Sequence, residues 1–530
     1  MVNLVVPSNL QLTKPNSPEK PWVATVGDST PLRITPDLAK VLNWYKDGRN
    51  TSASDYFGAQ IDQEQLEEAE SILRKFNLLT DEASATVQKK PRLRFNSLFS
   101  IQFAVLNKPR HFAWLEALAN RRVLVGGTFA NAILAILGGA LIGVYWASFF
   151  EAITTPQTVG TILVMFVFLI ASVSLHEFAH AAALTYFGGT VRRMGVMLFY
   201  LSPAFFCDVT DAWRLERKNQ RTLIALAGVI ATFGIAGFAT LIYVLTGREH
   251  DWLAVASLAL YVGSVLNLVP FIKLDGYLAL MTFLDRPNMR ARSMDEWKQA
   301  ALALFGGNWQ RLRTFKPSMI MFGLAASATP VVILLMLAAS LGNARAGIVG
   351  EALAFSVLLT AMVLVVRGIY RLATIRLAEG EAGLGARALS VAAATGVALA
   401  VTAVPLPQFE VGSYWEADGQ LVTNLEVESG QTVTLHRDGI LATKPLGTAV
   451  VGAETVTSEM PAQALAPNIK AEGFAGEVQA RHLLQYEGLQ AKEPGSVMLE
   501  KGSQPLGLWI LNALTFGAFQ GPQQVSLSSE

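Results

Sequence analysis

Ser174-Leu175-His176-Glu177-Phe178-Ala179-His180 closes a run that is almost wholly apolar from Thr158 onward. Its last five residues read H-E-x-x-H. Residues four apart on a helix share a face, so His176 and His180 can point at one ion. Glu177 then stands beside that ion, placed to take a proton from a water the ion has made more acidic. The preceding apolar run is long enough to be entering a bilayer. Ionisable groups at that depth are costly, so they face a cavity or a partner and carry function. The rival reading is three polar residues buried in a helix bundle. That reading requires hydrogen-bond partners that a simpler core would avoid.

The composition agrees with a membrane setting. Of 530 residues, 52% are hydrophobic and only 16% charged, with a mean hydropathy of +0.37, which a soluble enzyme does not show. The net charge of +1 gives no basis for nucleic-acid binding. The single cysteine, Cys207, excludes an intrachain disulfide framework and a cysteine-rich zinc site. The first twenty residues lack the basic start and apolar core of a cleaved signal peptide, so the N-terminus is expected to stay in the cytoplasm.

Seven apolar segments are expected to span the membrane: 123–150, 158–187, 222–246, 252–284, 318–341, 348–370 and 386–404. Positive charge gathers before the first and after the second, fourth and sixth. This predicts a cytoplasmic N-terminus and an extracytoplasmic C-terminus. Two histidines leave zinc short of ligands, since a catalytic site takes three from protein. The remaining histidines lie outside the core segments. Asp275, in Asn267-Leu-Val-Pro270-Phe-Ile-Lys273-Leu-Asp275-Gly276, is the outstanding candidate. The second and fourth segments run the same way. At about 1.5 Å per residue, Asp275 reaches nearly the depth of the histidines. Pro270 should break its helix and free carbonyls near the site. Asn267 could orient the aspartate, hydrogen-bond an extended peptide, or serve as interhelical glue. Lys273 could instead pair with Asp275.

These residues resemble the site-2 protease family of intramembrane zinc metallopeptidases. The resemblance rests on H-E-x-x-H at 176–180 and N-x-x-P-x-x-x-x-D-G at 267–276, and it covers roughly residues 160–285. It implies one zinc per chain held by His176, His180 and Asp275, with Glu177 as the catalytic group. It also implies roles near the substrate for Asn267, Pro270 and Gly276. The stretch from Phe187 to Trp213, with Ser202-Pro203 and Asp208-Val-Thr-Asp211, looks like a narrower branch, the peptide zinc metalloproteases. That branch often has Pro after Ala-Gly and then Asn; here Ala227-Gly228 leads to Val229-Ile-Ala-Thr232, which shifts substrate positioning to Thr232.

The flanks are soluble in character. Residues 1–30 read as a flexible, strand-poor leader. Residues 31–80 read as a winged-helix-like cytosolic domain of three short helices, similar to the PqqD-like domains that bind leader peptides. Residues 81–120 read as a basic linker that includes Lys89, Lys90, Arg92, Arg94, Lys108 and Arg110. Residues 121–404 form the membrane core. Residues 405–530 hold 14 acidic and 6 basic side chains and alternate like strands, as in the barrel-sandwich hairpins of HlyD-type adaptors. The expected fold is therefore mainly α: a polytopic membrane helix bundle with a winged-helix-like N-terminal domain and a β-rich C-terminal one.

The function this implies is a zinc metalloendopeptidase that cleaves a membrane-embedded or membrane-delivered peptide, in peptide maturation or export. Its expected setting is a bacterial cytoplasmic membrane. Its expected partners are the bilayer, a peptide or membrane-protein substrate and a peptide exporter or adaptor, with no nucleic acid. The alternative is a non-catalytic export or immunity component that uses the same fold as a platform. Such a platform has no need of Glu177.

Overall fold

The computed structural model describes residues 4–7, 10–15, 21–26, 32–47, 53–57, 63–81, 93–97, 100–106, 112, 115, 119–199, 202–305, 308–342, 347–374, 384–403, 405–487 and 493–514. They divide into two compact units. The first is Met1–Leu134, Ile170–Ile235 and Leu278–Asp285; the second is Ala135–Leu169, Ala236–Tyr277 and Arg286–Glu530.

The first unit begins with strands β1 (Leu4–Val5), β2 (Leu10–Thr13), β3 (Trp22–Val26) and β4 (Leu32–Ile34). Helices α1 (Pro36–Lys46), α2 (Ala53–Phe57) and α3 (Gln63–Lys75) and strand β5 (Thr80–Asp81) follow. The β2-β3-β4 sheet is antiparallel, and β1 pairs with β5. Helix α1 starts where its sequence says it should: the Thr35 hydroxyl accepts from Leu38 N–H and Pro36 opens the helix. One core buries Leu4, Leu10, Ala24, Ile34, Leu42, Leu73 and Leu78 together. The strand-poor leader expected over residues 1–30 is thus corrected. Leu10 and Leu12, with Trp22, Ala24 and Val26, recur at the period of two that a sheet requires, and that short pattern was masked by polar neighbours. Arg33 of β4 donates to Asp285 (3.1 Å), as does Arg221 (2.6 Å), and both guanidinium groups lie over the Trp213 ring.

The linker expected over 81–120 is also corrected. Strands β6 (Leu93–Ser97) and β7 (Ser100–Leu106) form a hairpin. With β9 (Met194–Phe199) and β10 (Ser202–Cys207) they build a four-stranded antiparallel sheet in the order β10-β9-β7-β6. Leu93, Phe95, Ile101 and Phe103 alternate with Arg94 and Gln102, a strand signal hidden beneath the count of positive charges. Lys89, Lys90, Arg92, Lys108 and Arg110 lie outside the described residues. Gly195 lets β9 approach β7 closely, since a Cβ there would lie 2.2 Å from Phe103 O.

Four helices, not seven, are long and apolar enough to cross a membrane among the described residues: Arg121–Val144 (α4), Val159–Tyr186 (α6), Lys218–Leu245 (α7) and Pro317–Leu337. This is consistent with a membrane protein. The expected 252–284 span is two shorter helices, Asp251–Asn267 (α8) and Asp275–Phe283 (α9), because Pro270 removes a backbone donor between them. Helix Leu384–Thr402 forms where the seventh span was expected. Helix Gly347–Thr374 forms where the sixth span was expected, with several side chains outside the described set. In the most apolar window of α7, 50% of residues are buried, against 6% for α4 and α6, so α7 is the helix surrounded by protein.

In the second unit, short helix α5 (Trp146–Ile153) and strand β8 (Gln157–Thr158) precede α6. The C-terminal residues form a closed six-stranded barrel in the order β11-β12-β16-β14-β13-β17, with β15 (Ile469–Lys470) outside it. These strands are Pro405–Ala417, Gln420–Thr423, Phe474–Glu487, Thr443–Pro461, Thr432–Asp438 and Gly495–Pro505. Asp418 and Gly419 both take positive φ (49° and 76°) in the two-residue β11–β12 turn, as a right-twisted hairpin requires. The tip of the β13–β14 hairpin docks on α5. Ile440 and Ala442 pack against the Ile153, Met165 and Val255 cluster, and a Cβ on Gly439 would lie 2.0 Å from Ile153 O. Arg437 and Lys444 both donate to Glu151, and β15 pairs in parallel with β8.

The Lys444 hydrogen bond, with Arg437, holds the Glu151 carboxyl below its ordinary value of 4.5 against the opposing effect of burial. A depressed carboxylate pKa contributes stability that is full above the ordinary value and is lost as pH falls through the lowered one. Glu151→Gln is therefore expected to lower the thermal midpoint slightly at neutral pH, and the difference from wild type should vanish in acid. A midpoint difference that stays constant with pH would remove the Glu151 charge from this docking.

Candidate metal centre

Both histidines lie in the second half of α6, where one helical turn stacks their side chains. Their ring centroids are 4.9 Å apart and their Nε2 atoms 3.2 Å apart. Helix α7 supplies what lies behind them. His180, 4% exposed, places Nδ1 2.7 Å from Ile224 O. His176 Nδ1 lies 2.8 Å from Thr232 Oγ1, and that hydroxyl is 3.1 Å from Gly228 O. Between these contacts sits Gly228. A Cβ there would come within 2.4 Å of His180 Nε2 and 2.5 Å of His176 Nε2, so only glycine admits both rings.

A carbonyl oxygen only accepts, so His180 Nδ1 carries a proton and its Nε2 in the neutral ring is a lone pair. That lone pair faces His176 Nε2. The 3.2 Å between the two nitrogens is close to the roughly 3.3 Å that two ligands take on a tetrahedral zinc with bonds of about 2.0–2.1 Å.

Asp275 is the first residue of α9. Asn267, the last of α8, donates from Nδ2 to Asp275 Oδ2 (2.8 Å) and accepts from Asp275 N–H through Oδ1 (3.3 Å). Asn267 thus orients the aspartate across the break. Gly276 permits close packing, since a Cβ there would lie 2.1 Å from Leu268 O. Pro270 lies within the break, which Arg290 secures by donating to Phe271 O (3.0 Å) and Ala326 O (2.8 Å). One ligand atom from each of His176, His180 and Asp275 lies within 4.8 Å of the other two. Two imidazole nitrogens and a carboxylate oxygen suit zinc.

Glu177 is half-buried next to His176. Cys207, at the end of β10, has its thiol pushed well above the ordinary value by burial and then by the charges of Glu177 and Asp208. Ile224, Gly228 and Arg290 escaped the sequence reading. The four-residue spacing of Ile224, Gly228 and Thr232, equal to that of the histidines, was the signal available for two of them.

No family model matches the chain. No solved structure matches it. A curated protein of Bacillus subtilis (strain 168), named "Putative peptide zinc metalloprotease protein YydH", is 25% identical over 145 residues. The match covers 27% of this chain and 57% of that protein. The chain therefore spans little more than half the length of the curated relative it matches, and the likeness supports a zinc metalloprotease role at that coarse level.

Proposed function

We propose that the chain is an intramembrane zinc metalloendopeptidase of the site-2 type, with His176, His180 and Asp275 as ligands and Glu177 as general base. The observation that carries this is the clustering of two imidazole nitrogens and one carboxylate oxygen within 4.8 Å beside an H-E-x-x-H glutamate. When bound, zinc supplies Lewis-acid polarisation of the scissile carbonyl and a more acidic water. Glu177 accepts the proton of the attacking water and delivers it to the leaving amine nitrogen. Asn267 holds the Asp275 carboxylate in place, and α7 holds the rings. The substrate is an extended peptide segment, because a helix hides its carbonyls. The N-terminal domain on the cytoplasmic side and the barrel on the outer side belong to the same proposal as sites of substrate delivery and adaptor contact.

Elemental analysis of the detergent-purified full chain tests this reading. Wild type is expected to carry close to one zinc per chain, and His176→Ala and Asp275→Ala to lose most of it. Folded wild-type protein from metal-replete growth that holds no zinc would overturn the reading.

A further inference from the structure

We propose that Thr232 is a positioning residue that fixes the tautomer of His176, rather than a group that touches substrate. The inference rests on the zinc reading above for its purpose, but its geometry lies wholly within the α6–α7 pair. Ile224, Gly228 and Thr232 are four residues apart and so form one stripe on α7. The stripe meets the histidines in reverse order: His180 against Ile224, His176 against Thr232. The two helices therefore run antiparallel at this contact, and the Nε2 atoms converge on the hollow left by Gly228.

The proton on His176 follows from counting donors. Thr232 has one O–H, and it is directed to Gly228 O at 3.1 Å, the carbonyl four residues back. Its oxygen is then an acceptor towards His176, so His176 Nδ1 carries the proton in the 2.8 Å contact. Nε2 is left facing the candidate metal position, as in His180, and can offer its lone pair to an ion there. The two locks differ in kind. His180 is held by a backbone carbonyl, which no substitution removes. His176 is held by a side chain, so its tautomer is set by the identity of residue 232. Outer partners of this type orient ligating histidines and typically alter metal affinity by about 10–100-fold.

The test compares wild type, Thr232→Val and Thr232→Ser as purified full chains. Zinc affinity is read by chelator competition. Valine keeps the shape of threonine but cannot accept the hydrogen bond from Nδ1–H; serine can. Thr232→Val is expected to bind zinc about 10–100-fold more weakly, and Thr232→Ser to restore affinity near that of wild type. A merely structural role would not follow hydroxyl chemistry in this way. Nitrogen-15 spectra of the metal-free chain, with His176 assigned by its removal, give a second readout. They should show one Nδ1-protonated ring in wild type and in Thr232→Ser, and a tautomer mixture in Thr232→Val. Wild type that binds zinc while Thr232→Val binds it equally well overturns the Thr232 role and leaves the zinc reading standing. A wild-type His176 that is a tautomer mixture also overturns the role. Absence of zinc from wild type overturns the zinc reading, and the nitrogen spectra still decide the tautomer.

Discussion

Glu177→Gln is expected to retain zinc at close to one ion per chain and to lower peptide hydrolysis by about 10²–10⁴-fold, the span usually attributed to a positioned general base. Glutamine keeps the shape and hydrogen-bonding reach of the side chain but cannot take a proton at neutral pH. The variant therefore separates proton transfer from metal retention. His176→Ala removes a ligand from a helix face on which His180 alone remains, and Asp275→Ala removes the anionic member of the set. Both are expected to lose zinc and activity together. The paired readout is what gives the experiment its force. A Glu177→Gln protein that loses zinc would place Glu177 among the ligands. One that keeps both zinc and full hydrolysis would remove Glu177 from the chemistry altogether. If wild type binds zinc but hydrolyses no peptide from a membrane-delivered library, the platform alternative takes the place of the protease reading.

Some of this centre is legible in the sequence and some is not, for definable reasons. The histidine pair needs only that residues 176–180 be helical, because a helix fixes the face that residues four apart share. Asp275 is legible through its motif; a depth count along 252–284 requires one continuous helix, and the break between Asn267 and Asp275 does not provide it. The partners behind the histidines are not legible. Ile224 acts through its carbonyl, which every residue possesses, and Gly228 acts through the side chain it lacks. Arg290 counts in a charge tally as one more cation, yet it ties the α8–α9 break, through Phe271 O, to Ala326 O of the helix Pro317–Gly342. The β6–β7 hairpin is hard to read because positive charge and strand alternation coexist in one stretch. Barrel closure depends on β11 pairing with β17, some ninety residues apart, and local patterning carries no record of that pairing.

Gly228→Ala is expected to act far more strongly on zinc affinity than on the metal-free fold, and this makes it the sharpest probe of how α7 builds the site. Alanine is favoured over glycine within a helix by about 0.8–1.0 kcal/mol, which offsets much of the roughly 1–3 kcal/mol that overpacking costs, so the metal-free fold should stay close to wild type in stability. The added methyl, however, would lie 2.4 Å from His180 Nε2, 2.5 Å from His176 Nε2 and 2.6 Å from His176 Cδ2. Carbon and nitrogen do not approach so closely, so the rings must retreat. They cannot do so freely: His180 is held through Nδ1 by Ile224 O, and His176 through Nδ1 by Thr232. Each imidazole pivots on a fixed contact, and any rotation that clears the methyl swings Nε2 away from its counterpart. The convergence of the ligand atoms is lost although every ligand is still present. The expected outcome is a loss of zinc affinity beyond the roughly 10–100-fold of an outer partner, with a thermal midpoint for the metal-free protein close to that of wild type. Wild-type zinc affinity in Gly228→Ala would mean that the rings do not meet α7 at this glycine. A fall in midpoint together with zinc would mean that the methyl disrupts the α6–α7 packing itself rather than the two imidazoles.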